Sequence, residues 1–299
     1  GNMDLTALKA VANDKLAGLM ITLPSTLGLF DSGITEICEI VHKAGGLVYG
    51  DGANMNALLG RVKLNDLGFD IVHVNLHKTT STPHGGGGPG AGPICVGENL
   101  ASLMPSPVVG QYHSDGIDHY TLVTPPDTIG VLSANHGNFG VLVRSYAYLR
   151  ALGADGLRQA SGDAVLNANY LMKRLQNLFY LPYDRTCMHE VVFSGKWQRS
   201  TGVKAMDLSK RLIDYGIHPP TMYFPLIVEE ALMIEPTETE SKKTLDAFVT
   251  VMEAIALESN KTPSVLVEAP HYTPVGRLDE ARAARHPDVR WPTESLTND

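Results

Sequence analysis

Two side chains in this sequence could share one piece of covalent chemistry. Asp51 sits just past the apolar run Leu47–Tyr49, after Gly50, and Lys78 sits just past the next such run, Ile-Val-His-Val-Asn at 71–75, after Leu76 and His77. A carboxylate at the end of an apolar strand is costly unless a cation pairs with it. A lysine in the same setting is expected to have its ammonium desolvated and its basicity lowered, as imine formation with a carbonyl carbon requires. Taken singly, each residue reads more simply as a capping Asp at a turn and a surface Lys, because strand-end loops commonly carry both. Taken together, at the ends of successive strands, they also meet the two needs of pyridoxal phosphate, an anchoring lysine and an acid facing the pyridinium nitrogen.

A third signal lies close by. The glycine run Gly85 to Gly88, extended by Gly90 and Gly92, would let backbone N–H groups approach an anion closely. It equally suits a flexible lid or a tight subunit contact. It lacks the closing Gly-Lys-Ser/Thr of a nucleotide loop, and the dinucleotide-binding spacing is not met in its proper context.

The elements that must hold these residues follow from periodicity. Leu16 to Thr22 predicts a buried strand. Ile34, Ile37, Ile40 and Val41 fall at helical spacing and end at Gly45-Gly46, a glycine stop. Leu47–Tyr49 and Ile71–Val74 predict two further strands. Strands separated by single helices predict a parallel sheet with right-handed crossovers, and its carboxyl ends should carry the site. Apolar residues recur every three or four positions over 139–152 and 164–178, which predicts long connecting helices. Short strands near Glu190–Phe193 and Ala231–Ile234, with helices near Met206–Tyr215 and Ser241–Glu258, predict a smaller α+β unit. The expected division is 1–140 for part of a large cofactor-binding domain, 141–180 for connecting helices, and 181–299 for a small domain with a surface-wrapping tail.

Composition narrows the function classes. The 24 Lys and Arg against 32 Asp and Glu give a formal charge of −8, which argues against a phosphate-backbone ligand. No apolar run reaches the roughly 18 residues of a membrane span, and no charged-then-apolar leader is visible. Cys38, Cys95 and Cys187 are scattered, as expected for reduced, buried and inert thiols in a cytoplasmic protein. Eleven histidines show no compelling metal spacing, so no metal is expected. His189-Glu190 fails as a zinc-protease pair because position 193 is Phe, and is expected to be structural. His218-Pro219-Pro220-Thr221 suggests a rigid turn, and Thr237 with Glu240 a capping box for the following helix. Arg144 and Arg185 are the candidate clamps for a substrate carboxylate, with an ordinary ion pair as the alternative.

One set of motifs is far more specific. Asp-Gly-Ala-Asn at 51–54, Asn-Leu-His-Lys at 75–78 and Pro-His-Gly-Gly-Gly-Gly-Pro-Gly at 83–90 strongly resemble the glycine decarboxylase (glycine cleavage P-protein) family. His136-Gly-Asn-Phe-Gly140, Asn167-Ala-Asn-Tyr170, His189-Glu190, His218-Pro-Pro-Thr221 and Glu235-Pro-Thr-Glu238 extend the likeness over most of the chain. The resemblance implies the large α/β plus small α+β architecture of aspartate-aminotransferase-like enzymes of fold type I. It implies pyridoxal phosphate on Lys78, with Asp51 at the pyridinium, Ala53 packed on the ring face, Asn54 at the phenolic oxygen, and His77 near the phosphate or orienting the lysine linkage. Leu23 departs from the polar residue frequent there, so Thr22 and Ser25 stay outside the expected site.

The implied reaction is oxidative decarboxylation of glycine, releasing CO2 and passing the aminomethyl group to the lipoyl arm of the H-protein. Residue 1 falls after the point where the family's phosphate-binding loop is expected, so a partner P-protein subunit or a missing N-terminal segment is expected to complete the cradle. Two other readings stay open: another pyridoxal-phosphate decarboxylase or aminotransferase, and a non-catalytic fragment or interaction subunit.

Overall fold

The computed structural model describes residues 1–84, 90–133 and 135–290; the Gly85–Gly88 run lies outside them. Helix α1 (Leu5–Val11) opens on Asp4, whose carboxylate accepts from the N–H groups of Thr6 and Ala7, a side-chain cap for otherwise orphaned donors. Strand β1 (Gly18–Thr22), helix α2 (Ile34–Lys43) and strand β2 (Leu47–Gly52) follow. Ile34, Ile37, Cys38 and Val41 bury one stripe of α2 against Leu23, Val48 and Phe69. Fully burying each aliphatic side chain of this kind contributes roughly 1.5–3 kcal/mol. Gly45, at φ 88, ends the helix by donating to the His42 carbonyl, the left-handed stop that glycine adopts without strain.

Strand β3 (Ile71–Val74), the one-turn helix α3 (Leu76–Thr79) and strand β4 (Ile94–Val96) complete the first sheet. Its order is β1-β2-β3-β4, with β1–β2 and β2–β3 parallel, as predicted, and β3–β4 antiparallel. Strands β5 (Val108–Ser114) and β6 (Ile117–Val123) then form a separate hairpin about Asp115 and Gly116. Both turn residues have positive φ, the geometry that matches a two-residue hairpin turn to strand twist.

The two predicted connecting helices lie within the segment α4 (Phe139–Leu175) and are separated at Gly153, where φ is 61 and ψ is −174, outside the helical region. Strand β7 (Val191–Ser194), helix α5 (Ala205–Asp214), strands β8 (Thr221–Met222) and β9 (Ala231–Ile234), and helices α6 (Lys242–Lys261) and α7 (Pro263–Val267) make the second unit. Its sheet runs β7-β9-β8, all antiparallel. Leu245, Val249, Met252, Ile255 and Ala256 form the buried stripe of α6, which packs with Leu171, Leu175, Phe193, Leu212 and Leu232 into the largest core. The capping box predicted from Thr237 and Glu240 does not form. Ser241 caps α6 by accepting from Thr244 N–H, and the Thr237 hydroxyl pairs with that of Thr239.

The tail is tied down by Arg277, which donates to Asp207 at 2.6 Å and to the Ala269 carbonyl at 2.7 Å, and carries a short helix α8 (Glu280–Arg285). Cys38 and Cys187 are buried, with thiols pushed up to about 11 and about 12 by desolvation. Cys95 is exposed on edge strand β4, so the expectation of three buried thiols is corrected to two. Among the described residues, no helix is long and apolar enough to cross a membrane.

Candidate active site

The carboxyl ends of β1, β2 and β3 come together because their register aligns Thr22, Asp51 and His73 in one row. Val48, Gly50 and Gly52 are buried while Tyr49 and Asp51 are half-buried on the other face of β2, the alternation expected of a strand. Gly52 is needed there: a Cβ at this position would sit 2.0 Å from the His73 carbonyl oxygen.

Asp51 is held from two sides. Its carboxylate accepts the Ala53 N–H at 2.9 Å and lies 3.2 Å from His73 Nε2. His73 Nδ1 in turn lies 2.8 Å from the Tyr49 hydroxyl. The Tyr49 phenol is pushed above its ordinary range by burial, then by the neighbouring Asp51 charge. Sequence reading found Asp51 but not its supports, since only the β2–β3 register brings His73 and Tyr49 to it. The Asp51 carboxylate remains 30% exposed, open to a cationic or protonated ring atom.

Lys78 sits on α3, one turn beyond the end of β3. It is exposed, so the desolvation expected from a strand-end position is not present: the turn of helix carries the side chain out of the apolar layer. The residues around it are less satisfied. Among the described residues, His77 Nδ1, Thr79 Oγ1 and Thr82 Oγ1 are buried and find no hydrogen-bond partner. His77 packs edge-on against His84, with ring centroids 4.8 Å apart. Its imidazole is held below the ordinary range by burial, then by the charges of His84 and Lys78. Polar atoms left unpaired beside a candidate attachment lysine fit a site finished by a bound polar group.

Ala53 is half-buried next to Asp51. The Asn54 amide donates to the carbonyls of Pro24 at 3.0 Å and Ser25 at 3.4 Å, and reaches Glu190 Oε1 at 3.5 Å. It therefore ties the β1 loop to the second unit. Arg185 donates to the Phe30 carbonyl at 2.9 Å, and Arg144 is exposed on α4; neither meets Lys78 or Asp51 in a hydrogen bond.

Sequence reading also assigned His189 and Glu190 a structural place, yet they converge on the Lys78 side of the molecule. Both are buried, at 1% and 3% exposure. Burial pushes Glu190 up to about 8, aided by Glu235, and pushes His189 down to about 4, aided by Lys78. The position of Glu190 depends on Gly28, where φ is 71 and a Cβ would meet the Glu190 carbonyl oxygen at 2.0 Å. The signal for this pair is the long-range approach of 136 residues between Asn54 and Glu190. Separately, a cavity of about 430 Å³ opens between β9 and α6, lined by Ile217, Met233, Leu245 and Phe248 with Glu235 at its edge.

A family model described as the C-terminal domain of glycine dehydrogenase matches residues 160–271. The probable glycine dehydrogenase (decarboxylating) subunit 2 of Caldanaerobacter subterraneus subsp. tengcongensis is 56% identical over 291 residues, 97% of this chain and 59% of that protein. Its counterpart in Listeria monocytogenes serovar 1/2a is 52% identical over 295 residues, 98% of this chain and 60% of that protein. The chain thus spans about three fifths of the length of these curated relatives.

Among solved structures, an inhibitor-bound glycine decarboxylase (P-protein) of the glycine cleavage system superposes with a TM-score of 0.68 at 19% identity, covering 81% of this chain and 56% of that one. An apo cysteine desulfurase from Thermococcus onnurineus NA1 gives 0.65 at 19% identity, covering 86% and 64%. At such identities the likeness shows the fold alone, the fold type I architecture of pyridoxal-phosphate enzymes. By the sequence identity of the curated relatives and the motifs at 51–54, 75–78 and 83–90, the chain is similar over nearly all of its own length to the glycine dehydrogenase (decarboxylating), or glycine cleavage P-protein, family.

Proposed function

We propose that this chain carries the attachment lysine of a pyridoxal-phosphate-dependent glycine decarboxylase. The whole reaction is oxidative decarboxylation of glycine, with CO2 released and the aminomethyl group passed to the lipoyl disulfide of an H-protein. The observation that carries the reading is the placement of Asp51 and Lys78 at the same end of adjacent parallel strands. The relatives' designation as subunit 2 supports a second P-protein subunit as partner, and the thiol usage and charge suit the cytoplasm.

The residues present fit the cofactor. Lys78 would bond its carbonyl carbon, and the unpaired donors of His77, Thr79 and Thr82 suit its phosphate or ring oxygens. When bound, the cofactor supplies an electron-poor ring that accepts the electron pair left on the glycine α-carbon. The Asp51 carboxylate would hold a proton on the ring nitrogen. His73 and the Ala53 N–H fix the carboxylate's direction for that task, so no reorganisation is needed during reaction. The Ala53 methyl would pack on the ring face, and Asn54 would brace the loop beneath it. Assembled with its partner subunit, the protein is expected to exchange labelled CO2 into glycine in a cofactor-dependent way. Exchange that is unaffected by Lys78→Ala would rule this reading out.

A further inference from the structure

Three polar side chains on neighbouring strands meet in one line: Tyr49, His73 and Asp51. Tyr49 and Asp51 stand two residues apart on one face of β2, and His73 on β3 is the register partner of Asp51. Side chains at such direct and diagonal positions reach one another. His73 Nδ1 lies 2.8 Å from the Tyr49 hydroxyl and Nε2 lies 3.2 Å from Asp51 Oδ1, with the Tyr49 and His73 ring centroids 5.6 Å apart. The Ala53 N–H donates to that same oxygen, Oδ1, at 2.9 Å. Among the described residues nothing donates to Oδ2.

Where each hydrogen sits follows from the groups themselves. A carboxylate offers only lone pairs, so the ring nitrogen beside it must carry a hydrogen. In the neutral imidazole the other nitrogen, Nδ1, is then a bare acceptor, and the Tyr49 hydroxyl is the group that fills it. Burial, then the charge of Asp51, keeps the phenol proton in place. A half-turn of the imidazole would put carbon where each nitrogen now lies and lose both contacts. The Tyr49 contact is the shorter of the two, so it is the firmer hold on the ring.

We propose that Tyr49 is a positioning residue for Asp51 that acts through His73. Its hydroxyl donates to Nδ1, pins the imidazole with the Nε2 hydrogen turned to Asp51 Oδ1, and so leaves Oδ2 as the open acceptor for the cofactor's ring nitrogen. A hydrogen bond donated to Nδ1 also strengthens Nε2–H as a donor, since hydrogen bonds in a chain polarise one another. Oδ1 is thereby loaded twice, by His73 and by the Ala53 N–H, and the lone pairs of Oδ2 stay free in one direction. The hydroxyl's partner is His73, so its effect on the site passes through the imidazole. This inference rests on the reading that Asp51 faces the cofactor's ring nitrogen.

Long-range nitrogen–proton correlation NMR of the full chain, isotope-labelled at its 11 histidines, reads the ring without an activity assay; the His73 signals are those lost in His73→Gln. The expected result is a neutral His73 with hydrogen on Nε2 and a bare, hydrogen-bonded Nδ1. Tyr49→Phe keeps the aromatic ring and removes the donor, so the Nδ1 resonance should move to the position of a bare nitrogen with no hydrogen-bond partner. In the assembled enzyme the same change should lower kcat for glycine–CO2 exchange roughly tenfold, by analogy with the outer partners of metal-bound histidines, with KM for glycine unchanged. A hydrogen on Nδ1 in the unaltered chain would overturn the proposal, and so would an Nδ1 resonance or a kcat indifferent to Tyr49→Phe. The spectrum of the unaltered chain decides the matter if Tyr49→Phe does not fold. A cofactor label on a lysine other than Lys78 would instead sink the functional reading and leave the hydrogen-bond chain as measured, which separates the two failures.

Discussion

Among the described residues, twenty buried ones from α4, β7, α5, β9, α6, α7 and the segments between them close on one another around Phe193. Around Val48, seven do so, and they cover one face of the β1–β4 sheet. The edge strands of that sheet leave Met20 68% and Ile94 50% exposed, and the β5–β6 hairpin exposes Val109, Tyr120 and Leu122. The contrast separates two jobs. The second unit is a closed core that supplies stability, while the first holds its chemistry on strand ends with little packing beneath it. Sites are commonly placed this way, on loops positioned by a scaffold rather than within it.

Substitutions that trade one job against the other should sharpen this contrast. Lys78→Ala is expected to lower glycine–CO2 exchange in the assembled enzyme by roughly a thousandfold or more, at least about 4 kcal/mol of barrier. Because Lys78 is exposed, the same change should alter unfolding free energy by less than about 0.5 kcal/mol. Phe193→Ala is the converse. Its ring is fully buried against Phe179, and a denaturant titration should show a loss of about 3–5 kcal/mol. A loss well under 1 kcal/mol would mean that the second unit is not the stability core.

pH probes the seam between the two regions. His189 has its proton affinity lowered to about 4 in the folded chain. The unfolded chain therefore takes up that proton first as pH falls, and stability drops between about 6.5 and 4, by a few kcal/mol at most. Glu190 acts in the other direction: raised to about 8, it costs stability progressively as pH rises from about 4.5 to 8. Chemical denaturation against pH should show both limbs, the acid one flattened in His189→Gln and the alkaline one in Glu190→Gln. Limbs unchanged by both substitutions would remove the seam from the account. The smallest effect expected is at Met20→Ser, which should change stability by less than about 0.5 kcal/mol while reducing self-association through the exposed β1 edge, read by sedimentation.

Much of this was legible in the residues. The α2 stripe and the strands read at 47–49 and 71–74 follow from periodicity, whereas the strand read at 16–22 as buried forms at 18–22 on the sheet edge with Met20 exposed. Asp51 and Lys78 stand out because charge at the end of an apolar strand calls for a reason. Less was legible where distant segments decide. The support of Asp51 by His73 needs the β2–β3 register, and the approach of Asn54 to Glu190 needs the whole fold. The exposure of Lys78 follows from one turn of helix placed between strand and side chain, which an apolar run does not announce. The β5–β6 hairpin is absent from the predicted elements although Asp115-Gly116 is a strong turn signal; its exposed apolar residues on both faces blur the alternation that marks a strand. The break at Gly153 was legible, because a glycine after Leu152 marks the end of the first connecting helix.

The central claim is that Lys78 is the residue to which the cofactor attaches. Borohydride reduction of the cofactor-loaded assembly, followed by peptide mapping, tests it most directly. The account predicts a single pyridoxyl group on the peptide containing Lys78, absent in Lys78→Ala; a pyridoxyl group on Lys43 or Lys63 instead would contradict it.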